Sequence, residues 1–184
     1  MTIYKASKII RESMPFFLLL LIISWITGDI WENISGLLLG KYSIFLIILP
    51  GYISAIGSIG SVYVSRLSSH ILIGDLDEHF KPRSIFLANI LGLFVSSIIY
   101  FSMLSIAGFV LATLFQFPVL ALNIFIITIG AGLISIACIM IVGTIVTFFA
   151  YKKGLDPDNF TSPLMSNLGD LFGSLFLGIF VLLF

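Results

Sequence analysis

Long apolar stretches alternate with short polar ones along this chain, and the alternation predicts five membrane-spanning helices. Apolar runs occupy residues 14–39, 42–69, 83–115, 118–151 and 162–184. A helix rises about 1.5 Å per residue, so about 20 apolar residues cross the hydrocarbon of a bilayer. The second and fifth runs fit one crossing each. The third and fourth are longer than a crossing needs, which predicts tilt or extension past the hydrocarbon. The first run is uncharged only from Met14 to Gly28. Asp29 and Glu32 follow, and they are read as lying in the headgroups, with cation collection at an outer mouth as the alternative.

The connections are short. Gly40-Lys41 joins the first run to the second, and Gln116-Phe117-Pro118 joins the third to the fourth, where proline resists continuing a helix. Two longer linkers, His70 to Arg83 and Lys152 to Thr161, are polar. Neither an internal repeat nor a low-complexity tract interrupts the pattern. Lys5, Lys8 and Arg11 resemble the charged start of a signal peptide. However, the stretch from Trp25 to Trp31 offers no small-residue cleavage site, and four more runs follow. The first run is therefore read as a retained span.

Charge placement predicts orientation. With the N-terminus inside, Lys5, Lys8, Arg11, Arg66, Lys81, Arg83, Lys152 and Lys153 are all cytoplasmic, and only Lys41 of the 9 basic residues is outside. The positive-inside bias thus predicts N-terminus in and C-terminus out, which requires an odd number of spans. Composition agrees with lipid as the solvent. The chain is 59% hydrophobic and 10% charged, whereas a soluble domain needs about a quarter charged residues. Net charge is zero, so nothing points to nucleic acid. Cys138 is the only cysteine, which excludes an intramolecular disulfide and a cysteine metal cluster. The sequence reading is a single all-α domain, residues 1–184, of an integral membrane protein. The plasma membrane is its expected location.

The fifth run carries the most informative residue. Asp156-Pro157 is a turn signal, Thr161 or Ser162 suits an N-cap, and Pro163 suits the first helical position. A helix from Pro163 places Asp170 ~10 Å inside it, where an aspartate costs roughly 2.5–3.5 kcal/mol. Ser162, Ser166, Asp170 and Ser174 recur every four residues, with Gly169 and Gly173 beside them as a close-packing pair. Two readings follow: a carboxylate lining a cation path, or a protonated aspartate bonded to a neighbouring helix. In the second run Ser54, Ser58, Ser61 and Ser65 form a comparable row beside Gly57 and Gly60, below Pro50, which leaves a backbone carbonyl to satisfy. That row is either a pore lining or ordinary packing of small residues. Asp75, Asp77, Glu78 and His79 form a linker cluster read as solvated, with weak divalent-ion binding as the alternative. His70 has no partner visible in sequence. No nucleophile–base set, phosphate loop or redox motif occurs, so an enzyme is not expected.

Two blocks resemble the membrane domain of the MgtE family of magnesium channels and transporters, including its eukaryotic solute-carrier relatives. One is Pro50 to Ser69, ending Ser65-Arg66-Leu67-Ser68-Ser69. The other is Asp156-Pro-Asp-Asn followed by Ser162-Pro163 and Gly169-Asp170. The linker Gly74-Asp-Leu-Asp77 is similar too, as is the order of five spans. The resemblance implies transport of divalent cations, Mg²⁺ above all, by a homodimer or by a dimer with a homologous half. It further implies a pore lined by the second and fifth spans of each protomer and no resident cofactor. Asp170 is then the central cation site, with Ser162, Ser166, Ser58 and Ser54 around the ion. The chain departs from the family in being read as a single half without the family's cytoplasmic sensing domains. Transport or exchange of another cation, and a non-conducting scaffold subunit, are the alternatives.

Overall fold

In the computed structural model, which describes residues 6–39, 42–76, 83–153 and 157–184, the chain forms five α-helices. They are α1 (Ala6–Leu38), α2 (Ile44–Leu72), α3 (Arg83–Leu114), α4 (Ala121–Lys152) and α5 (Pro157–Leu183). Each contains a stretch long and apolar enough to cross a bilayer, and together they make an all-α integral membrane protein. Isoleucine, leucine and phenylalanine face outward along every helix, among them Leu21, Ile99, Ile141 and Leu182. Such exposure is intolerable in water and ordinary against lipid.

Helices α2, α4 and α5 pack against one another and form the centre. Helix α3 lies against α2 and α4, and α1 rests mainly on α5. Glycine makes this packing possible where side chains interlock. The Phe101 ring of α3 fills the space at Gly132 of α4, so an added Cβ there would meet it at 2.7 Å. Phe180 occupies the corresponding space at Gly130, and Ile34 of α1 that at Gly178. Without these gaps the helix axes would sit farther apart.

Helix boundaries depart from the apolar runs in three places. Helix α1 is continuous from Ala6 to Leu38, so Asp29 and Glu32 belong to a helix that extends through both halves of the first run. Both side chains are exposed. Helix α4 begins at Ala121, because Leu120 is still extended (φ −68°, ψ 136°). Helix α5 begins at Pro157, six residues before the expected start, and Pro163 lies inside it. The proposed cap at Thr161 or Ser162 is therefore overturned. Pro157 opens the helix instead, at the first helical position that suits a proline. Pro163, the seventh residue of α5, then removes one bond to a first-turn carbonyl, and its ring crowds that carbonyl.

The α3–α4 connection runs from Phe115 to Leu120, past the expected end at Pro118, and its geometry shows how α3 is closed. Gln116 adopts φ +56°. The Phe117 N–H donates to the Ala112 carbonyl at 2.9 Å, and the Gln116 N–H to Thr113 at 3.4 Å. This is a Schellman closure of the helix. Gly40-Lys41, Lys81, Asp77, Glu78, His79 and Asp156 lie outside the described residues.

Candidate cation site

The site grows from the contact between α2 and α5, which run antiparallel. Gly57 and Gly169 bring the two backbones together: a Cβ on Gly169 would lie 2.5 Å from the Gly57 Cα and N. A Cβ on Gly57 would lie 3.1 Å from the Ser166 Cα. One turn away, the Ser61 hydroxyl donates to the Ser162 carbonyl at 3.0 Å. Gly173 continues the contact beside Ile56 and Ile53. These pairs fix the register. Ser58 lies level with Ser166, and Ser54 level with Asp170, one turn apart on both helices.

Exposure separates the two readings of the second run residue by residue. Gly57 and Gly60 are buried packing positions, and Gly60 faces Ile139 and Met165. Ser54, Ser58 and Ser65 are exposed, and Ser61 is half-buried and bonded. On α5, Ser166 is exposed while Ser162 and Asp170 are half-buried. Ser174 leaves the row. It is fully buried and donates its hydroxyl to the Asp170 carbonyl. The reason is geometric: four residues overshoot a turn by about 40°, so a four-residue repeat winds round the helix. The result is a seam along α2 and α5 that presents hydroxyls and one carboxylate on the outside of the single chain.

Asp170 is the midpoint of the 27-residue α5, ~20 Å from either end. This is deeper than the sequence reading placed it, because the helix starts earlier. Residues 84–151 contain no Asp, Glu, Lys or Arg. Among the described residues no ion pair with Asp170 is found; elsewhere His70 Nδ1 lies 3.3 Å from Asp75 Oδ2. That contact supplies the partner for His70 that the sequence did not reveal. Among the described residues, no three His, Cys, Asp or Glu side chains gather. One chain thus offers one carboxylate and several hydroxyls, a set of hard oxygen ligands and water acceptors.

Sequence reasoning missed a neighbour of Asp170. Asn167, half-buried one turn earlier on α5, accepts the Ser24 hydroxyl at 2.7 Å and donates to the Pro163 carbonyl at 3.3 Å. It ties α1 to α5 beside the seam. The available signal was an amide side chain within a span, where each polar group demands a partner.

Five helices long and apolar enough to cross a bilayer, with a carboxylate midway along α5 on an outer seam, define an integral membrane protein. Residues 49–180 match the family model of MgtE, described as a divalent cation transporter, and the chain belongs to that family. The match covers α2 to α5 almost entirely. No curated protein matches the chain.

Proposed function

We propose that this protein carries Mg²⁺ across the plasma membrane as a dimer, through a pore lined by α2 and α5 of both protomers, with Asp170 as the central cation site. The observation that carries this reading is the seam itself. On the outside of one chain Ser54, Ser58 and Ser166 are exposed and Asp170 is half-buried, within helices long and apolar enough to cross a bilayer, where polar groups facing lipid are costly. A second copy would cover the seam and bring two carboxylates together about a two-fold axis. Two negative charges match one divalent cation. Mg²⁺ releases its waters reluctantly and holds oxygen ligands at short range. Hydroxyls at Ser54, Ser58, Ser162 and Ser166 can accept hydrogen bonds from that water shell, while the aspartates supply the charge. Orientation with the N-terminus inside follows the positive-inside bias.

The test is Mg²⁺ uptake into liposomes containing wild-type protein or Asp170→Asn, which keeps the shape and removes the charge. Wild-type uptake with at least a tenfold loss in the folded, dimeric variant is expected. Equal uptake by both would remove Asp170 from the path, and no uptake by either would favour the scaffold role or a missing partner. Uptake driven only when a Na⁺ or proton gradient is imposed would replace simple Mg²⁺ permeation with exchange.

A further inference from the structure

A cleft lies on the opposite side of α2. Helix α3 approaches α2 and α4 closely at one end, where Phe101 fits Gly132, Gly108 lies near Ile48 and Ile124, and the Tyr100 hydroxyl donates to the Gly51 carbonyl at 3.0 Å. Toward Arg83 that contact loosens: Phe86, Ile90 and Phe94, on the same face of α3 as the fully buried Phe101, are only half-buried. The divergence leaves a cleft of 440 Å³ between α2, α3 and α4.

Its walls are hydrocarbon. Phe86, Ile90 and Phe94 of α3 line one side at four-residue spacing, and Ala137 and Ile141 of α4 line the other. Tyr63 of α2 borders the cleft, with its hydroxyl 2.6 Å from Thr144 Oγ1, so the polar atoms present are paired with each other. Ile141 and Ile145 reach from the cleft to the outer surface and are 61% and 63% exposed. The cleft is therefore continuous with the face that meets the bilayer.

We propose that this cleft is a binding site for one acyl chain of a membrane phospholipid. Nothing in the lining would hold water, since an apolar cavity offers it no hydrogen bonds. An unfilled cleft would leave the wall atoms without dispersion partners on one side. The occupant must be apolar. Ile141 and Ile145 carry the cleft mouth onto the outward face of a helix long and apolar enough to cross a bilayer, so hydrocarbon is the solvent there, and a flexible acyl chain can follow the cleft inward. Tyr63 is buried on the side of α2 away from the serine row, so an acyl chain would rest against the back of the helix whose front carries Ser54 and Ser58. The proposal needs only a membrane-embedded bundle and stands whether or not Asp170 binds the cation.

The test uses the full chain in liposomes doped with a phosphatidylcholine carrying a diazirine on one acyl chain. The protein is moved into detergent before photolysis, so that loosely held surrounding lipid is exchanged. Label is then mapped by peptide mass spectrometry. At least fivefold more label is expected on Ile90, Phe94 and Ile141 than on Val95 and Ile99, which are exposed residues of α3 outside the cleft. Filling the cleft with Ala137→Phe should abolish that excess. Equal labelling of cleft and outer face in the wild type would overturn the site without recourse to any variant. So would an excess unchanged in a folded Ala137→Phe protein.

Discussion

Replacing Gly169 by alanine should separate the two helices that form the seam, and the distances say by how much. The new Cβ would lie 2.5 Å from both the Gly57 Cα and N. Carbon atoms pack without penalty at about 3.5–4 Å, so α2 and α5 must part by ~1 Å at this level. The obstacle is backbone, which cannot rotate away as a side-chain tip can. Overpacking of this kind costs about 1–3 kcal/mol, partly offset by the ~1 kcal/mol that alanine gains over glycine in helix propensity. Two other glycines calibrate the effect. At Gly173 the Cβ would meet Ile56 Cδ1, a side-chain end, at 3.0 Å and Ile53 Cγ2 at 3.2 Å, contacts that a shift of a few tenths of an ångström relieves. At Gly92 it would meet nothing within 4 Å. Thermal unfolding of the purified protein in detergent, followed by loss of the folded peak on size exclusion, should therefore rank the variants. Gly169→Ala should be least stable: a net loss of up to about 2 kcal/mol lowers Tm by up to about 8 °C at roughly 2–4 °C per kcal/mol for a chain of this size. Gly173→Ala should be near wild type, and Gly92→Ala equal to it or slightly higher. If Gly169→Ala melts with Gly92→Ala, the α2–α5 backbone contact is not what the distances imply, and the register assigned to the seam loses its support.

Tyr63→Phe should lose the 2.6 Å contact to Thr144 while keeping the buried ring. The same melting assay should register a loss of about 0.5–1.5 kcal/mol, since Thr144 retains its bond to the Met140 carbonyl at 2.7 Å. In a Cys138→Ser background, Ser58→Cys should react with a small cationic thiol reagent from the aqueous phase and lose Mg²⁺ uptake on modification. An unreactive cysteine there, in a folded and active protein, would argue against a water-filled seam. Ser61→Ala should weaken the α2–α5 contact by about 0.5–1.5 kcal/mol without abolishing uptake. Its hydroxyl is engaged with the Ser162 carbonyl, and abolished uptake would place Ser61 in the path itself.

The five helices were legible in the sequence because lipid allows no partial solution. A segment that enters hydrocarbon must bond its own backbone along its whole length, so its apolar run marks it. Asp170 was legible for the same reason: a carboxylate within such a run conflicts with its surroundings. Boundaries were less legible. Asp156-Pro157 and Ser162-Pro163 offer the same starting chemistry, and residue preferences alone could not choose between them. The α1 start was hidden too, because a helix can extend beyond the hydrocarbon into polar residues.

Apolar runs, charge placement and one intramembrane acid are local properties, and the sequence alone determined them. Which serines look outward was settled only by packing. Ser166 and Ser174 belong to one four-residue repeat, yet one is exposed and the other is buried against its own helix. The α2–α5 register depends on Gly57 meeting Gly169 across more than a hundred residues of chain, and the cleft depends on where α3 parts from its neighbours. Both are sums of many weak contacts between distant segments, and no single stretch of sequence contains them.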